Sequence, residues 1–545
     1  MAQGSGRRRS MRLAAWEARP GLGQEKIERM ALVEGLSGLD SSFLYLESPR
    51  APMHVGGVSV IEGSLRFDDF RDLLASRIHL TPRLTQRLVE IPFGLDHPYW
   101  IDDPHFTLDH HLHHTALPHP GDWRQLRRLA CRLFAQPLDR SRPLWEFIFV
   151  EGVDAIGQVP GGSVALISKI HHAAIDGVSG ADTVSLLFDI TPQPRPAEIP
   201  PESKSETLPG DFELVTRSAL NFASRPFKLP RMIMDVAKAT LQTGRLTRVA
   251  GADLPAMPFR APRTPFNGVV SADRAWNTAL LDFERVKALR AASAGSTVND
   301  VVLTICAGGL RRYLLEHDAL PSKPLVAMVP VSTRTVAEKN TMGNQVSGMF
   351  VELGTHIEDS IRRLIHIQNS TRKGKLYQGA LDAKSLMKHA ELIPFGIAGQ
   401  AARLYTRAQL SRRHSPVFNV VITNVPGPPL PLYVAGHKLL AHMGMAPIFD
   451  GVGLVVAVFS YDGMLSISLT SSRSLVPDID RLAWHLRTAA NEFEAALEVK
   501  TGREPDKESV AGRENRARCQ AILASGRRCR NRARGTGTHC GLHAD

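Results

Sequence analysis

Short apolar runs along the chain predict buried strands. Residues 52–61, 143–150 and 163–170 are rich in β-branched or aromatic residues and are bounded by glycine or proline, which is typical of strands in a hydrophobic core. The last two runs are predicted to pair. Similar runs follow residue 267, so the pattern repeats in a second half. The strands predicted there are 276–281, 325–329, 343–351, 418–428, 452–460 and 465–470, the last two forming a hairpin around Asp462-Gly463.

Helical spacing of apolar residues fills the intervals between these strands. Residues 67–91, 122–134 and 283–292 repeat apolar positions every three or four residues, as amphipathic helices do. A long helix is predicted to begin at Ser296 or Thr297, because serine and threonine cap helix N-termini. Strands and helices alternate in both halves, so the predicted fold class is α/β or α+β. Further helices are predicted over 357–377, 381–413 and 482–497.

Changes in composition divide the chain into regions. Residues 192–209 are rich in proline and charged residues, which is typical of a linker. The predicted organisation is a disordered basic extension over 1–35, a first half over 36–191, a linker with basic amphipathic helices over 192–266, a second half over 267–500 and a basic tail over 501–545. Met30 is an alternative start, since the ordered pattern begins soon after it.

The net charge of +12 lies in the two tails. Residues 1–31 contribute +4 and residues 501–545 contribute +5, which leaves +3 for the 469 residues between. A nearly neutral body confines any nucleic-acid role to the tail. Five cysteines in so long a chain do not indicate a disulfide scaffold and favour a reducing, cytoplasmic setting. No apolar run reaches the roughly 18 to 20 residues of a membrane-spanning helix.

Two basic amphipathic stretches are candidates for peripheral membrane contact. Residues 212–249 interleave lysine and arginine with large apolar side chains, and residues 391–413 repeat this pattern. Such helices lie on anionic membrane surfaces. They also occur as helices packed on their own protein with a solvated basic face, and the sequence leaves both interpretations open.

The segment His171-His172-Ala173-Ala174-Ile175-Asp176-Gly177 carries the clearest chemistry. It follows the predicted strand 163–170 and precedes a helical pattern, so it lies where a strand ends in a loop, a common place for active-site residues. Imidazole accepts a proton near neutral pH. Adjacent side chains in extended backbone face opposite ways, so one histidine would face a pocket while the other anchors the loop. The alternative is two core histidines beside an Asp176-Gly177 turn.

A second group of histidines lies between residues 105 and 119. A metal site there is one interpretation, but the carboxylate and cysteine ligands that would sharpen it are sparse. The run from Leu108 to Leu117 also fits an extended segment at the edge of a sheet.

Four motifs stand in order along the chain: Pro143-Leu144-Trp145, the His171–Gly177 segment, Val298-Asn299-Asp300-Val301-Val302-Leu303 and Asn424-Val425-Pro426-Gly427-Pro428. Together they resemble the bacterial wax ester synthase/diacylglycerol acyltransferase family, and Leu39-Asp40 to Phe43-Leu44 and Pro52 to Gly57 are similar to that family's start. The resemblance covers residues 36–497. It implies two halves like chloramphenicol acetyltransferase with a tunnel between them, in which acyl-CoA meets a lipid alcohol.

The same resemblance implies roles for the site residues. His172 would take the proton of the attacking hydroxyl, and Asn299 would donate to the oxyanion or orient the substrate, with helix capping as the alternative for Asn299. His171, Asp176 and Gly177 would shape the loop, with Asp176 paired to Arg334. No cofactor is needed for this chemistry. No Gly-x-Ser-x-Gly sequence is present, which argues against a serine hydrolase.

The tail offers a separate metal-binding pattern. Cys519, Cys529, Cys540 and His543 supply three thiolates and one imidazole, a complete tetrahedral set for structural zinc. The spacing is not the usual paired CxxC, so a disordered basic tail with incidental cysteines is the alternative.

The sequence therefore predicts an acyl-CoA-dependent O-acyltransferase that esterifies diacylglycerol or long-chain alcohols at a membrane or lipid-droplet surface. One alternative is an acyltransferase for another hydroxylated acceptor. The other is a non-catalytic lipid-binding protein whose tail binds nucleic acid. Intact His172 argues against the latter.

Overall fold

The computed structural model describes residues 35–92, 96–157, 159–177, 186–195, 261–332, 346–380 and 395–497. The predicted extension, most of the predicted linker, the tail and the segment 381–394 lie outside these ranges. The strands are β1 His54–Ile61, β2 Gln86–Val89, β3 Tyr99–Asp102, β4 Leu112–Ala116, β5 Trp145–Val153, β6 Ser163–His171, β7 Arg274–Asp282, β8 Val326–Ser332, β9 Val346–Glu352, β10 Val420–Pro426, β11 Tyr433–Val434, β12 His437–Met445, β13 Leu454–Tyr461 and β14 Met464–Ser472.

All described α-helices except Gly38–Leu46 overlap intervals whose apolar spacing predicts a helix. Asp122 caps the helix Trp123–Phe134 with a capping box, and Thr297 caps the helix Val298–Glu316 in the same way, as expected for aspartate and threonine at N-caps. The helices are α1 Gly38–Leu46, α2 Phe67–Arg77, α3 Trp123–Phe134, α4 Phe283–Ala292, α5 Val298–Glu316, α6 Ser360–Ala380, α7 Phe395–Arg407 and α8 Ile479–Ala496.

One predicted helix is wrong over much of its length. The prediction over 67–91 holds only to Arg77, after which come two short 3₁₀ helices and then β2. Pro82 begins the second 3₁₀ helix, and proline cannot continue a regular α-helix because it lacks an N–H. β2 then pairs antiparallel with β3, so tertiary pairing overrides the apolar spacing.

The first six-stranded sheet has the order β11-β12-β1-β6-β5-β4. β6 is central, with antiparallel partners on both sides, and the predicted pairing of 143–150 with 163–170 is confirmed. Alternate residues of β6 enter two apolar clusters: Val164 and Leu166 on one face, Ala165 and Ile167 on the other. Burial on both faces explains why the strand is apolar along most of its length. β4 lies at the edge, as one interpretation of the histidine-rich run predicts.

The second six-stranded sheet has the order β7-β14-β13-β10-β8-β9. The predicted hairpin around Asp462-Gly463 is confirmed as β13 and β14. Helix α5 is buried along most of its length against this core. Any Cβ added at Gly309 would approach Leu486 of α8 to 2.6 Å, so glycine allows these two helices to pack closely.

The two sheets are joined by a strand that changes sheets. β12 lies late in the chain, between β10 and β13 of the second sheet, yet it pairs with β1 of the first, with Val58 opposite Met443. The indole of Trp276 on β7 also donates to the carbonyl of Gly444 on β12 at 2.9 Å. The second half therefore completes the first sheet. Within the described ranges, no helix is long and apolar enough to cross a membrane.

Candidate functional site

The histidine pair lies at the end of the central strand of the first sheet. β6 ends at His171, and a 3₁₀ helix follows over His172–Gly177. The His171 N–H donates to the carbonyl of Leu144 at 2.9 Å, and the His172 N–H donates to the carbonyl of Met53 at 2.8 Å. The two backbone amides are thus bonded to chain segments on opposite sides of β6. These two bonds fix the position of the backbone where the strand ends and the 3₁₀ helix begins.

His171 is fully buried and makes the contacts of an anchor. Its Nδ1 accepts a hydrogen bond from the Ala173 N–H at 3.1 Å, inside the turn. Its Nε2 lies 3.5 Å from Oε1 of Glu47, which also accepts from the Met53 N–H at 3.2 Å. Burial would raise the pKa of Glu47, but the contacts with His171 and Met53 lower it. A buried carboxylate paired in this way stabilises the turn against both flanking segments.

His172 has a different environment from its neighbour. Its ring stacks on Phe43 of α1, with ring centroids 3.7 Å apart and planes 13° from parallel. Burial lowers the pKa of His172 to about 4, and a contact with its own backbone only partly opposes the shift. Part of the residue remains accessible to solvent. A ring of this kind is neutral at pH 7, so it is ready to accept a proton.

Phe43 and Glu47 are functional neighbours that the sequence did not identify. Phe43 lies in the last turn of α1 and stacks on His172, and Glu47 is the C-cap of the same helix and lies beside His171. The resemblance at Leu39 to Leu44 was the only available signal, and it carried no role.

The second half contributes a pair of amides. Nδ2 of Asn424, on β10, donates to Oδ1 of Asn299 at 3.4 Å. Asn299 is the second residue of α5, and the cap is Thr297, whose side chain accepts from the N–H of Asp300. Helix capping by Asn299 is therefore wrong. Within the described residues, no acceptor is assigned to the Asn299 amide N–H, and no hydrogen bond joins it to His172.

Other predicted site residues lie outside what the structure describes. The side chain of Asp176 and the surroundings of Gly177 are among them, as is Arg334, so their proposed roles stay predictions. Cys519, Cys529, Cys540 and His543 also lie outside the described ranges.

The histidine-rich segment lies partly in the core and partly at the edge of the first sheet. His111 is buried, stacks on Trp145 with ring centroids 4.6 Å apart, and its Nδ1 donates to the Trp145 carbonyl at 2.9 Å. His114 stacks on Phe67 and lies 3.1 Å from a carboxylate oxygen of Glu151. In the described part of the chain, no cluster of three or more histidine, cysteine, aspartate or glutamate residues is arranged to hold a metal ion.

Family models match both halves of the chain. The wax ester synthase/diacylglycerol acyltransferase catalytic domain matches residues 36–302, and the C-terminal domain of the same family matches residues 342–494. The chain is 34% identical over 455 residues to a Mycobacterium tuberculosis protein named as a diacylglycerol O-acyltransferase, and the match covers 82% of this chain and 88% of that one.

Two further proteins extend the comparison. The O-acyltransferase WSD of Acinetobacter baylyi is 31% identical over 476 residues, covering 85% of this chain and 97% of its own. The solved structure of a wax ester synthase/diacylglycerol acyltransferase from Marinobacter aquaeolei VT8 matches with a TM-score of 0.62 and 26% identity, over 85% of this chain and all of that one. Together with the two sheet-rich halves, this match confirms the predicted fold class.

Proposed function

This chain belongs to the wax ester synthase/diacylglycerol acyltransferase family, and we propose that it joins the acyl group of acyl-CoA to the hydroxyl of diacylglycerol or of a long-chain alcohol. Membership makes it an acyltransferase and confirms the resemblance found in its motifs. The observation that carries the proposal is the neutral, stacked imidazole of His172 at the end of β6.

The proposed reaction begins with proton removal by His172. A ring nitrogen of the neutral imidazole accepts the proton of the alcohol as the alcohol oxygen bonds to the thioester carbonyl carbon. The carbon–sulfur bond then breaks, and the same proton passes to the CoA sulfur. The atoms balance without a redox or metal cofactor. Because the pKa of the ring is low, the base is unprotonated throughout the physiological pH range.

The tetrahedral intermediate carries negative charge on the former carbonyl oxygen. Asn299 is the proposed donor to this oxygen. No acceptor is assigned to its side-chain amide N–H among the described residues, while its Oδ1 accepts a hydrogen bond from Asn424. Its backbone also lies in the first turn of α5, where helix N–H groups favour negative charge.

The substrates can be tested directly with purified full-length protein. Labelled palmitoyl-CoA is offered with either diacylglycerol or hexadecanol, and ester formation is followed by chromatography with free CoA as the second product. With either acceptor, we expect the ester and free CoA to form in equal amounts. Release of CoA without ester would indicate a thioesterase and contradict the proposal.

We also propose peripheral association with a membrane or lipid-body surface at the cytoplasmic face. In the described part of the predicted basic stretch 391–413, Arg403, Leu404 and Arg407 are exposed on α7. An exposed leucine between two arginines fits an anionic lipid surface. Flotation with vesicles containing about a third anionic lipid tests this, and binding unaffected by vesicle charge would contradict it.

The zinc site in the tail remains a separate proposal from the sequence. Three thiolates and one imidazole suit a closed structural site, and catalysis should not depend on it, since the matched domains end at residue 494. Metal analysis of the full chain and of a chain ending at Lys500 tests this. Equal zinc content in the two would exclude the site.

A further inference from the structure

A cleft of about 240 Å³ lies beside α1 and α7, outside the contacts of the histidine pair. Its walls are largely apolar and include Leu46, Ala51, Phe418 and Phe449. Leu46 is 37% exposed, whereas Ala51 is buried. The cleft therefore runs from the surface towards the interior.

Two polar atoms in the wall of this cleft lack hydrogen-bond partners among the described residues. They are Oγ of Ser411 and Oδ2 of Asp450, and both are buried. Oδ1 of Asp450 accepts from the Val270 N–H at 3.0 Å, while the nearest cation to Oδ2 is the half-exposed Arg50 at 3.8 Å. Leaving buried polar atoms unpaired costs free energy. These two atoms therefore indicate a ligand that brings its own hydrogen-bonding group.

The neighbouring polar groups do not offer that partner. Nδ1 of His414 donates to the Ser415 carbonyl at 2.8 Å, so its Nε2 accepts from the Tyr405 hydroxyl at 2.6 Å. The charge of Asp450 and burial together raise the pKa of Tyr405, burial being the larger cause. Tyr405 and His414 are thus hydrogen-bonded to each other, and neither is assigned to Ser411 Oγ or to Asp450 Oδ2.

Two chain segments that contact the histidine pair also supply residues of the cleft wall. Phe43, which stacks on His172, lies one turn of α1 from Leu46, a rise of about 4.5 Å. Ala51 lies two residues before Met53, whose carbonyl accepts from the His172 N–H at 2.8 Å. Phe43, Ala51 and Met53 also belong to one apolar cluster. The same apolar cluster therefore includes both residues of the cleft wall and the stacking partner of His172.

We infer that this cleft is an entry subsite for the alcohol acceptor, in which Asp450 and Ser411 hold the acceptor hydroxyl and the apolar wall holds its chain before the alcohol reaches His172. This inference rests on the proposed function. The acceptor fits better than acyl-CoA for two reasons. An alcohol hydroxyl both donates to the Asp450 carboxylate and accepts from Ser411, whereas the phosphates of CoA would be repelled by Asp450.

The test measures the two substrates of each variant separately. Asp450→Asn keeps the size of the side chain and an oxygen for the Val270 N–H, but replaces the second acceptor. We expect it to raise the KM for hexadecanol about tenfold, the loss of one hydrogen bond to a charged group, with kcat and the KM for palmitoyl-CoA unchanged. Ser411→Ala should raise the KM for hexadecanol about threefold. It should not lower the melting temperature, because its hydroxyl has no described partner.

A matched control and a second readout separate this inference from the chemistry. Asp69→Asn removes an exposed carboxylate on α2 and should change neither KM. Binding of a pyrene-labelled long-chain alcohol to His172→Ala protein, which needs no turnover, should weaken about tenfold when Asp450→Asn is added. An unchanged KM for hexadecanol in folded Asp450→Asn protein, or an equal rise for palmitoyl-CoA, would overturn the subsite and leave the proposed function standing. A wild-type protein that forms no ester but still binds the alcohol through Asp450 would overturn only the proposed function.

Discussion

The end of β6 and the start of α5 carry the site residues of the two halves, and they are built differently. At β6, His171 and His172 are held by buried contacts on both sides, and burial lowers the pKa of His172 to about 4. At α5, Asn299 is only half-buried, and among the described residues its side chain is assigned one hydrogen bond, from Asn424 at 3.4 Å.

This difference fits two tasks with different demands. A base must keep a defined protonation state and direction, which burial and stacking provide. An amide donor is uncharged, so burial is not needed to maintain its protonation state. A small rotation of its side chain can direct its N–H at a developing oxyanion. We therefore expect substitutions at β6 to have larger effects than those at α5.

His172→Ala should cause the largest loss. Removing the base should lower kcat at least about a hundredfold, with the KM for palmitoyl-CoA little changed. Turnover of labelled palmitoyl-CoA with hexadecanol measures it, and circular dichroism checks that the variant is folded. Wild-type activity in His172→Ala would exclude this residue as the base.

Asn299→Ala should have the second-largest effect. Loss of one oxyanion donor from a half-exposed site should lower kcat about ten- to a hundredfold. Thr297→Ala is the matched control, because it removes the true N-cap of the same helix and costs about 1 kcal/mol of stability. If Thr297→Ala reduces kcat as much as Asn299→Ala, the amide acts through the helix and not on the substrate.

His171→Ala should separate anchoring from chemistry. The change leaves Glu47 buried without its imidazole neighbour, so the free energy of unfolding should fall by about 1–3 kcal/mol. At a temperature where the variant is folded, kcat should fall less than in His172→Ala. Denaturant unfolding and turnover, measured on the same preparation, give both values. A variant of wild-type stability with the activity of His172→Ala would place His171 in the chemistry.

The last prediction concerns the pH dependence of stability. Burial lowers the pKa of both His172 and His442 to about 4, against about 6.5 in the unfolded chain. Between these values only the unfolded state binds the protons, so stability should fall as pH drops from 6.5 towards 4, by about 1.4 kcal/mol per pH unit for each group.

His442→Gln should reduce this slope. Glutamine keeps a group that can hydrogen-bond to Ser59 Oγ, which lies 2.9 Å from His442 Nδ1, but it does not titrate. Urea unfolding at pH 7, 6 and 5 measures the slope for both proteins. Equal slopes would show that His442 is not among the groups responsible.

Local patterns determined much of the fold in advance. The strands β5 and β6, the helix α3 with its Asp122 cap and the hairpin of β13 and β14 follow from residue spacing and turn chemistry alone, because these signals act over a few neighbouring residues. The place of His172 at a strand end was visible for the same reason.

Tertiary structure decided the features that depend on distant partners. Part of the run 67–91 forms a strand and not the predicted helix, because β2 pairs with β3. β12 belongs to the first sheet because it pairs with the edge of β1. The stacking of Phe43 on His172 and the pairing of Asn299 with Asn424 join residues 125 or more positions apart. Burial and contact at such separations arise only when the chain is packed, so the low pKa of His172 and the partners of the site could not be obtained from the sequence alone.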